Sequence, residues 1–256
     1  MRSVWNGAIG FGLVNIPVKL YSATQQSNLD LDMVDRRDMA KIQYHRINEQ
    51  SGRKVEWENI AKAYKLDDHY VMLEDEDYKQ AAPEKTKIIE VNHFVDQREI
   101  DTIYYENSYY IEPDASGAKA YTLLREALTK SEKVGIAQFV MRTAAVLTVI
   151  KPLKEVLVLS KIRFAQEIRS TEEIKIPTKS EIKPAELSMA MQLIEQYTGP
   201  FNIGEYKDEY AAALLRVIQE KASGKKPTVR KMPVTDRKTE DLLEQLKASL
   251  SKKKAS

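Results

Sequence analysis

Few side chains in this sequence have a type and spacing that could support catalysis. Nucleases that hold a divalent metal beside a lysine use Pro-Asp followed by Glu-x-Lys, and the chain contains Pro113-Asp114 and Glu173-Ile174-Lys175. The two elements are far apart, Asp114 lies in a Pro/Gly loop, and motifs this short match by chance. A metal-dependent nuclease is therefore kept only as an alternative.

The sequence offers few residues that could bind a metal ion or a cofactor. The three histidines, His45, His69 and His93, fall in separate strand-like patterns without ligand spacing. The absence of cysteine excludes disulfides and thiolate metal sites, and it fits a reducing compartment. Phosphate-binding and nucleophile-elbow motifs (GxxxxGK[ST], GxGxxG, GxSxG) do not occur. We predict no cofactor, no metal and no enzymatic activity.

The distribution of charge along the chain favours a binding function instead of a catalytic one. The net charge of +2 conceals segregation, with +4 over residues 36–66, −10 over 67–114, +6 over 115–170 and +7 over 221–256. Basic segments separated by acidic ones favour a protein that binds a polyanion through selected parts of its surface. Solvated charge on a chain in which 30% of residues are charged explains the composition equally well.

The candidate phosphate contacts fall into two groups. The first accompanies the aromatics Tyr44, Trp57 and Tyr64, and the second lies at the ends of strand-like runs, where it could line a phosphate-facing cradle. Arg142 is the foremost candidate of the second group, for which solvated strand termini are the alternative. The DNA-binding candidates are Arg36, Arg37, Lys41, Arg46, Arg53, Lys54 and Lys62, followed by Arg142, Lys151, Lys154, Lys161 and Arg163.

Strands must position these cations. The opening run 4–23 alternates with period two, and its bare face of Gly and Ala indicates close approach of another backbone. The phase then flips, which predicts a bulge or bend at residues 13–15, with Pro17 at that bend or at a sheet edge. Alternation is thin over about 22–65, which predicts an extended ribbon away from the core.

The rest of the chain mixes strands and helices. Further strands are predicted at 69–73, 87–95, 102–111 with a turn at 106–108, 134–150 and 155–163. A short acidic-capped helix is predicted to begin at 74–77 and end before Pro83, and Ser116 is the predicted N-cap of a helix over 118–128. The predicted class is mainly β with helices (α+β).

The C-terminal third is predicted to be helical and then flexible. One apolar stripe runs from Leu187 to Tyr197, ended by Gly199-Pro200, and a second runs over 210–218. A basic linker over 223–238 precedes a helix whose leucine stripe could enter a partner's groove or fold onto its own dimer. The partner-binding candidates are Leu242, Leu243, Leu246 and Leu250.

The run from Trp5-x-Gly7 through Gly10-Phe11-Gly12-Leu13-Val14-Asn15-Ile16-Pro17-Val18-Lys19-Leu20-Tyr21-Ser22-Ala23 resembles the opening of the bacterial Ku proteins. The likeness continues at lower density through Tyr64, 71–77, 109–113, 120–127 and 208–221. It implies a Ku-type β-barrel core over 1–182 with a bridge arm at about 22–65 encircling DNA, a helical arm over 183–222, and a basic tail over 223–256. Many family members carry Cys-x-x-Cys in the arm, where this chain has residues 46–52, so no metal is expected there.

The resemblance also implies a function. Bacterial Ku proteins bind double-stranded DNA ends as homodimers, independently of sequence, in double-strand break repair by non-homologous end joining. They recruit and stimulate a multifunctional, ATP-dependent DNA ligase of the LigD type. By this likeness we expect a non-catalytic cytoplasmic protein of the bacterial nucleoid with no membrane segment. The non-enzyme alternative is a general nucleoid DNA-binding protein.

Overall fold

A computed structural model describes residues 1–81, 86–142, 144–176 and 182–224. The chain forms two compact units, one made of Met1–Gln26 and Leu31–Ser170, the other of Ser27–Asp30 and the chain from Thr171 onward. The predicted domain limits at 182 and 222 stay predictions. No helix within the described residues is long and apolar enough to cross a membrane.

The first unit is built on a closed seven-stranded barrel in the strand order β1-β2-β6-β9-β8-β7-β5. Parallel pairing of β1 with β5 closes it, and every other neighbouring pair is antiparallel. A separate hairpin joins β3 to β4. The strands are β1 (Trp5–Phe11), β2 (Val14–Ser22), β3 (Lys62–Leu66), β4 (His69–Leu73), β5 (Ile88–Asp96), β6 (Tyr105–Pro113), β7 (Lys133–Met141), β8 (Ala144–Leu153) and β9 (Val156–Ile162).

Four α-helices accompany the strands within the described residues, which confirms the predicted α+β class. In the first unit, α1 spans Asp75–Ala81 and α2 spans Ala118–Ser131. In the second, α3 spans Pro184–Tyr197 and α4 spans Glu209–Ala222. Neither α3 nor α4 contains a buried residue.

The barrel interior is an apolar core to which all seven barrel strands and α2 contribute. Tyr121 of α2 connects the helix to two strands: its hydroxyl donates to the Ile111 carbonyl at 2.9 Å and accepts from the Leu157 amide at 2.6 Å. Burial raises the pKa of this phenol above its usual range, so it stays a neutral donor. Those two bonds satisfy backbone groups that would be costly to leave unpaired.

The opening run folds as a hairpin, so the bulge or bend predicted at residues 13–15 is in fact a tight turn between β1 and β2. Gly12 adopts a left-handed φ of +56° at that turn, and Leu13 is fully exposed at its tip. Pro17 lies within β2 just beyond the end of its pairing with β6. It therefore occupies a local edge, where its missing amide hydrogen breaks no bond to β6.

Close approach along β1 differs in detail from the prediction. On the bare face, a Cβ at Gly10 would lie 2.9 Å from the side chain of Ile88, so the neighbour there is a side chain and not a backbone. A backbone approaches instead at Gly7, on the opposite face, where a Cβ would collide with the Lys87 carbonyl oxygen and the Trp5 ring. Ile88 begins β5 and Lys87 is the residue before it, and β5 pairs with β1 to close the barrel.

The strand-like run predicted over 134–150 is confirmed, and it forms two strands because the chain reverses after Met141. Two other local predictions were wrong. Residues 106–108 form no turn, since the register with β9 shifts there as a bulge. Ser116 lies within a 3₁₀ turn, and Gly117 takes the N-cap of α2 without a side-chain bond. At residues 106–108, pairing with distant residues overrides the local pattern.

Candidate nucleic-acid interface

The arm, defined here as residues 31–66, is held mainly by local turns. Before β3 begins at Lys62 it forms no ladder: two isolated bridges, Val34 with Lys41 and Ile47 with Lys54, replace the predicted extended ribbon. Asn48 shows why, because its side-chain oxygen accepts from the backbone amides at positions 50 and 51. Side chains that bind neighbouring backbone offer it an alternative to strand pairing.

The arm and the hairpin that β3 forms with β4 have no core of their own. None of the described residues from 21 to 81 is buried, although this stretch is rich in large apolar and aromatic side chains. Tyr44 is 74% exposed, and Trp57 and Tyr64 are each 67% exposed. A two-stranded hairpin alone is marginally stable in water, so this surface is suited to being covered by a partner.

Ion pairing divides the candidate cations of the arm. Arg37 forms a two-pronged contact with Asp35, with a shortest distance of 2.6 Å from Nη2 to Oδ2, and this contact holds the Asp35 pKa below its usual range. Lys41 pairs with Asp32 at 2.8 Å, and Lys54 pairs with Glu56 at 3.0 Å. Each of these three cations therefore has a carboxylate partner within the arm.

Two barrel candidates are also paired, both with one carboxylate. Glu106 lies 2.7 Å from the Lys161 ammonium and 3.2 Å from the Arg163 guanidinium. The hydrogen bond from Lys161, together with both positive charges, lowers the Glu106 pKa. Arg163 also donates hydrogen bonds to the carbonyls of Ile103 and Tyr105. It therefore stabilises the start of β6 in addition to its ion pair with Glu106.

The other seven candidates form no ion pair with any residue in the described ranges. Three of them lie over aromatic rings: Arg46 over Trp57 at 4.5 Å, Lys62 over Tyr78 at 5.8 Å and Lys151 over Tyr105 at 5.6 Å. A cation over an aromatic face keeps its charge available to an anion. The unpaired set is Arg36, Arg46, Arg53, Lys62, Arg142, Lys151 and Lys154.

The barrel candidates do not form the single cradle that the sequence suggested. Arg142 follows β7 and Lys154 follows β8, so they lie at opposite ends of the ten-residue strand β8. At ~3.3 Å per residue these ends are about 30 Å apart. Both residues adopt a left-handed φ, +62° at Arg142 and +52° at Lys154, although neither is a glycine.

Sequence reasoning missed two features of this surface. Glu106 was not recognised as the counter-charge of Lys161 and Arg163, because that requires the register of β6 against β9. The stacking of Arg46 on Trp57 joins residues 11 positions apart in an irregular segment, where no periodicity predicts contact. An excess of aromatics among the basic residues was the only available signal.

The residues of the nuclease alternative are divided between the two units, with Asp114 in the first and Glu173 and Lys175 in the second. The Asp114 carboxylate lies 2.9 Å from the Lys19 ammonium, and this hydrogen bond raises the Lys19 pKa. Glu173 and Lys175 belong to the second unit, where both are exposed. Among the described residues no three His, Asp or Glu side chains are grouped as a metal site would need. The predicted docking leucines at 242, 243, 246 and 250 lie outside the described residues.

Comparison with known proteins relates the chain to one family. The family model described as the Ku70/Ku80 beta-barrel domain matches residues 10–189. A protein named "Non-homologous end joining protein Ku" from Coxiella burnetii is 37% identical, covering 98% of this chain and 95% of the relative. Proteins of the same name from Opitutus terrae and Archaeoglobus fulgidus are 39% and 36% identical, covering 98% of this chain in both cases and 92% and 98% of the relatives.

Proposed function

The chain belongs to the Ku family, and from this membership we propose that it binds double-stranded DNA ends as a ring-shaped homodimer in non-homologous end joining. The observation that supports this most directly is the arm: Arg36, Arg46, Arg53 and Lys62 project from a segment with no buried residue, and no described carboxylate pairs with them. Unpaired cations spread along an exposed segment could contact successive phosphates of a DNA backbone.

The same surface accounts for independence from base sequence. Phosphate contacts fix position on a duplex without distinguishing base pairs, and a ring needs no base contact to be retained. The barrel supplies Arg142, Lys151 and Lys154 as further cations without a described ion pair. We therefore assign the seven unpaired residues to phosphate contact and the five paired ones to holding the arm and the barrel edge.

Two finer parts of the proposal come from family resemblance and sequence pattern. The tail is proposed to recruit and stimulate a LigD-type ATP-dependent DNA ligase, with its leucine stripe as the docking element. The protein itself is proposed to be non-catalytic and to act in the cytoplasm, on the bacterial nucleoid. A general nucleoid DNA-binding protein would use the same cations but would have no requirement for a DNA end.

The requirement for an end is the decisive test. A closed ring can enter a duplex only where the duplex terminates, so linear DNA should bind tightly and a covalently closed circle of the same sequence weakly. Gel shift of the two forms measures this, and ligation with a cognate ligase can be scored in the same tubes. Equal binding to both forms would reject the ring and favour the nucleoid alternative.

A further inference from the structure

One side-chain pair in the arm has a geometry that phosphate contact does not explain. The Arg46 guanidinium carbon lies 4.5 Å above the centre of the Trp57 indole, while Trp57 remains 67% exposed. The Val55 amide donates to the Arg46 carbonyl at 2.9 Å, and Trp57 begins a 3₁₀ turn closed by the Ile60 amide. The local backbone therefore holds the two side chains together.

We propose that Trp57 and Arg46 form a stacking site for an unpaired base at a DNA end, the indole taking the base and the cation the adjoining phosphate. The inference rests on the proposed function and deepens it, since it names single-stranded overhangs as a preferred substrate class. Bases inside a duplex are stacked on both sides, whereas an overhang offers free base faces. Exposed aromatics beside cations are the combination that binds single strands without reading sequence.

The charge around the pair favours nucleic acid over a second protein copy. Arg46 and Arg53 have no ion-pair partner among the described residues, and Lys54, next to Arg53 in the chain, is paired with Glu56 at 3.0 Å. Residues 36–66 carry a net charge of +4. Packing this surface against its own copy would desolvate unpaired guanidinium groups, which is costly. Single-stranded phosphates would instead neutralise them.

Tryptophan fluorescence provides a direct readout. The chain has only two tryptophans, and the other, Trp5, lies in the barrel with its ring 5.1 Å from that of Phe139. Adding a duplex with single-stranded overhangs should quench the emission more than adding a blunt duplex of equal length. A short free single strand should also quench it, and Trp57→Phe should abolish the quenching by both. Equal quenching by blunt and overhanging duplexes would overturn the proposal.

Affinity gives an independent measure with a matched control. Since one base stacked on an aromatic ring changes affinity about fivefold or more, Trp57→Leu should remove at least that much of the preference for overhanging over blunt ends. Trp57→Phe should keep most of the preference. Tyr64→Leu, at a residue equally exposed in the same arm, should leave it unchanged.

These outcomes separate the site from the ring. Blunt-end binding that survives Trp57→Leu, with the overhang preference lost, supports both proposals. If Trp57→Leu weakens blunt and overhanging ends equally, or converts a dimer to a monomer by light scattering, the stacking site is wrong. If linear and circular DNA bind equally while the single strand still quenches Trp57, the ring fails and the stacking site stands.

Discussion

Ion pairing within the chain decides which single cations are available to phosphate. Arg36 and Arg37 are adjacent arginines with different surroundings. Arg37 is paired with Asp35, whereas Arg36 has no acidic partner among the described residues. Ion pairs between exposed side chains contribute little to stability, so pairing weakens a candidate without excluding it. The sequence could not separate paired from unpaired cations among the twelve candidates, because it shows neither strand register nor local turns.

Backbone conformation adds a second criterion at the hairpin tips. A left-handed φ is unfavourable for a residue with a side chain by ~1–2 kcal/mol, and glycine or asparagine would relieve the strain. Lys154 nevertheless occupies such a position, with φ +52°, at the turn between β8 and β9. A strained cation at an exposed tip suggests that its charge contributes to binding.

Lys154→Gly should therefore separate stability from binding. We expect the free energy of unfolding to rise by about 0.5–1 kcal/mol, because glycine relieves the left-handed strain. DNA affinity should fall at all sequences, and the salt slope should flatten by ~0.9 if one phosphate contact is lost. Urea unfolding and gel shift over a salt series measure these effects. Lys154→Gln is the control that removes charge but retains strain, and an unchanged salt slope would assign Lys154 to solvated surface.

At the scale of elements, the sequence predicted what local periodicity determines. The apolar stripe and Gly199-Pro200 predicted α3 accurately, and the alternation of Ile16, Val18 and Leu20 predicted the buried face of β2. Pairing was less accessible, since the turn after Met141 and the bulge in β6 depend on partner strands. In the arm, the side chain of Asn48 accepts hydrogen bonds from two backbone amides, so the chain turns there although the surrounding alternation predicted an extended ribbon.

The predicted C-terminal helix is an element that can be tested by removal. Its leucines at 242, 243, 246 and 250 form one stripe on a helix too short to be stable alone in water. Deletion of 239–256 should leave end binding largely intact and abolish stimulation of a cognate ligase, measured by gel shift and ligation yield. Replacing Leu242 and Leu246 by alanine in the full chain is the milder control. Full ligase stimulation by the truncated protein would show that the helix is not the docking element.

At the scale of the whole molecule, the apolar surface of α3 is a large area that remains uncovered. Leu187, Met191 and Ile194 of α3 are 54%, 62% and 67% exposed. Spacings of three and four residues place them on one face of the helix. Amphipathic helices depend on burying such a face. In the proposed homodimer, we expect the second copy of the chain to cover this face and to supply the other half of the ring.

Ile194→Glu should disrupt this pairing, because it places a carboxylate on the apolar stripe, where burial would be costly. We expect light scattering to show a shift from dimer to monomer, and linear DNA to bind more weakly, since one protomer cannot close a ring. Gln192→Glu adds the same charge on a different face of α3 and should leave the dimer intact. An Ile194→Glu protein that remains dimeric and binds linear DNA normally would place the dimer contact outside α3. In that case the ring would have to close through another exposed apolar segment, and the arm and the β3–β4 hairpin, where Tyr44, Tyr64 and Tyr70 are each exposed, would be the next region to test.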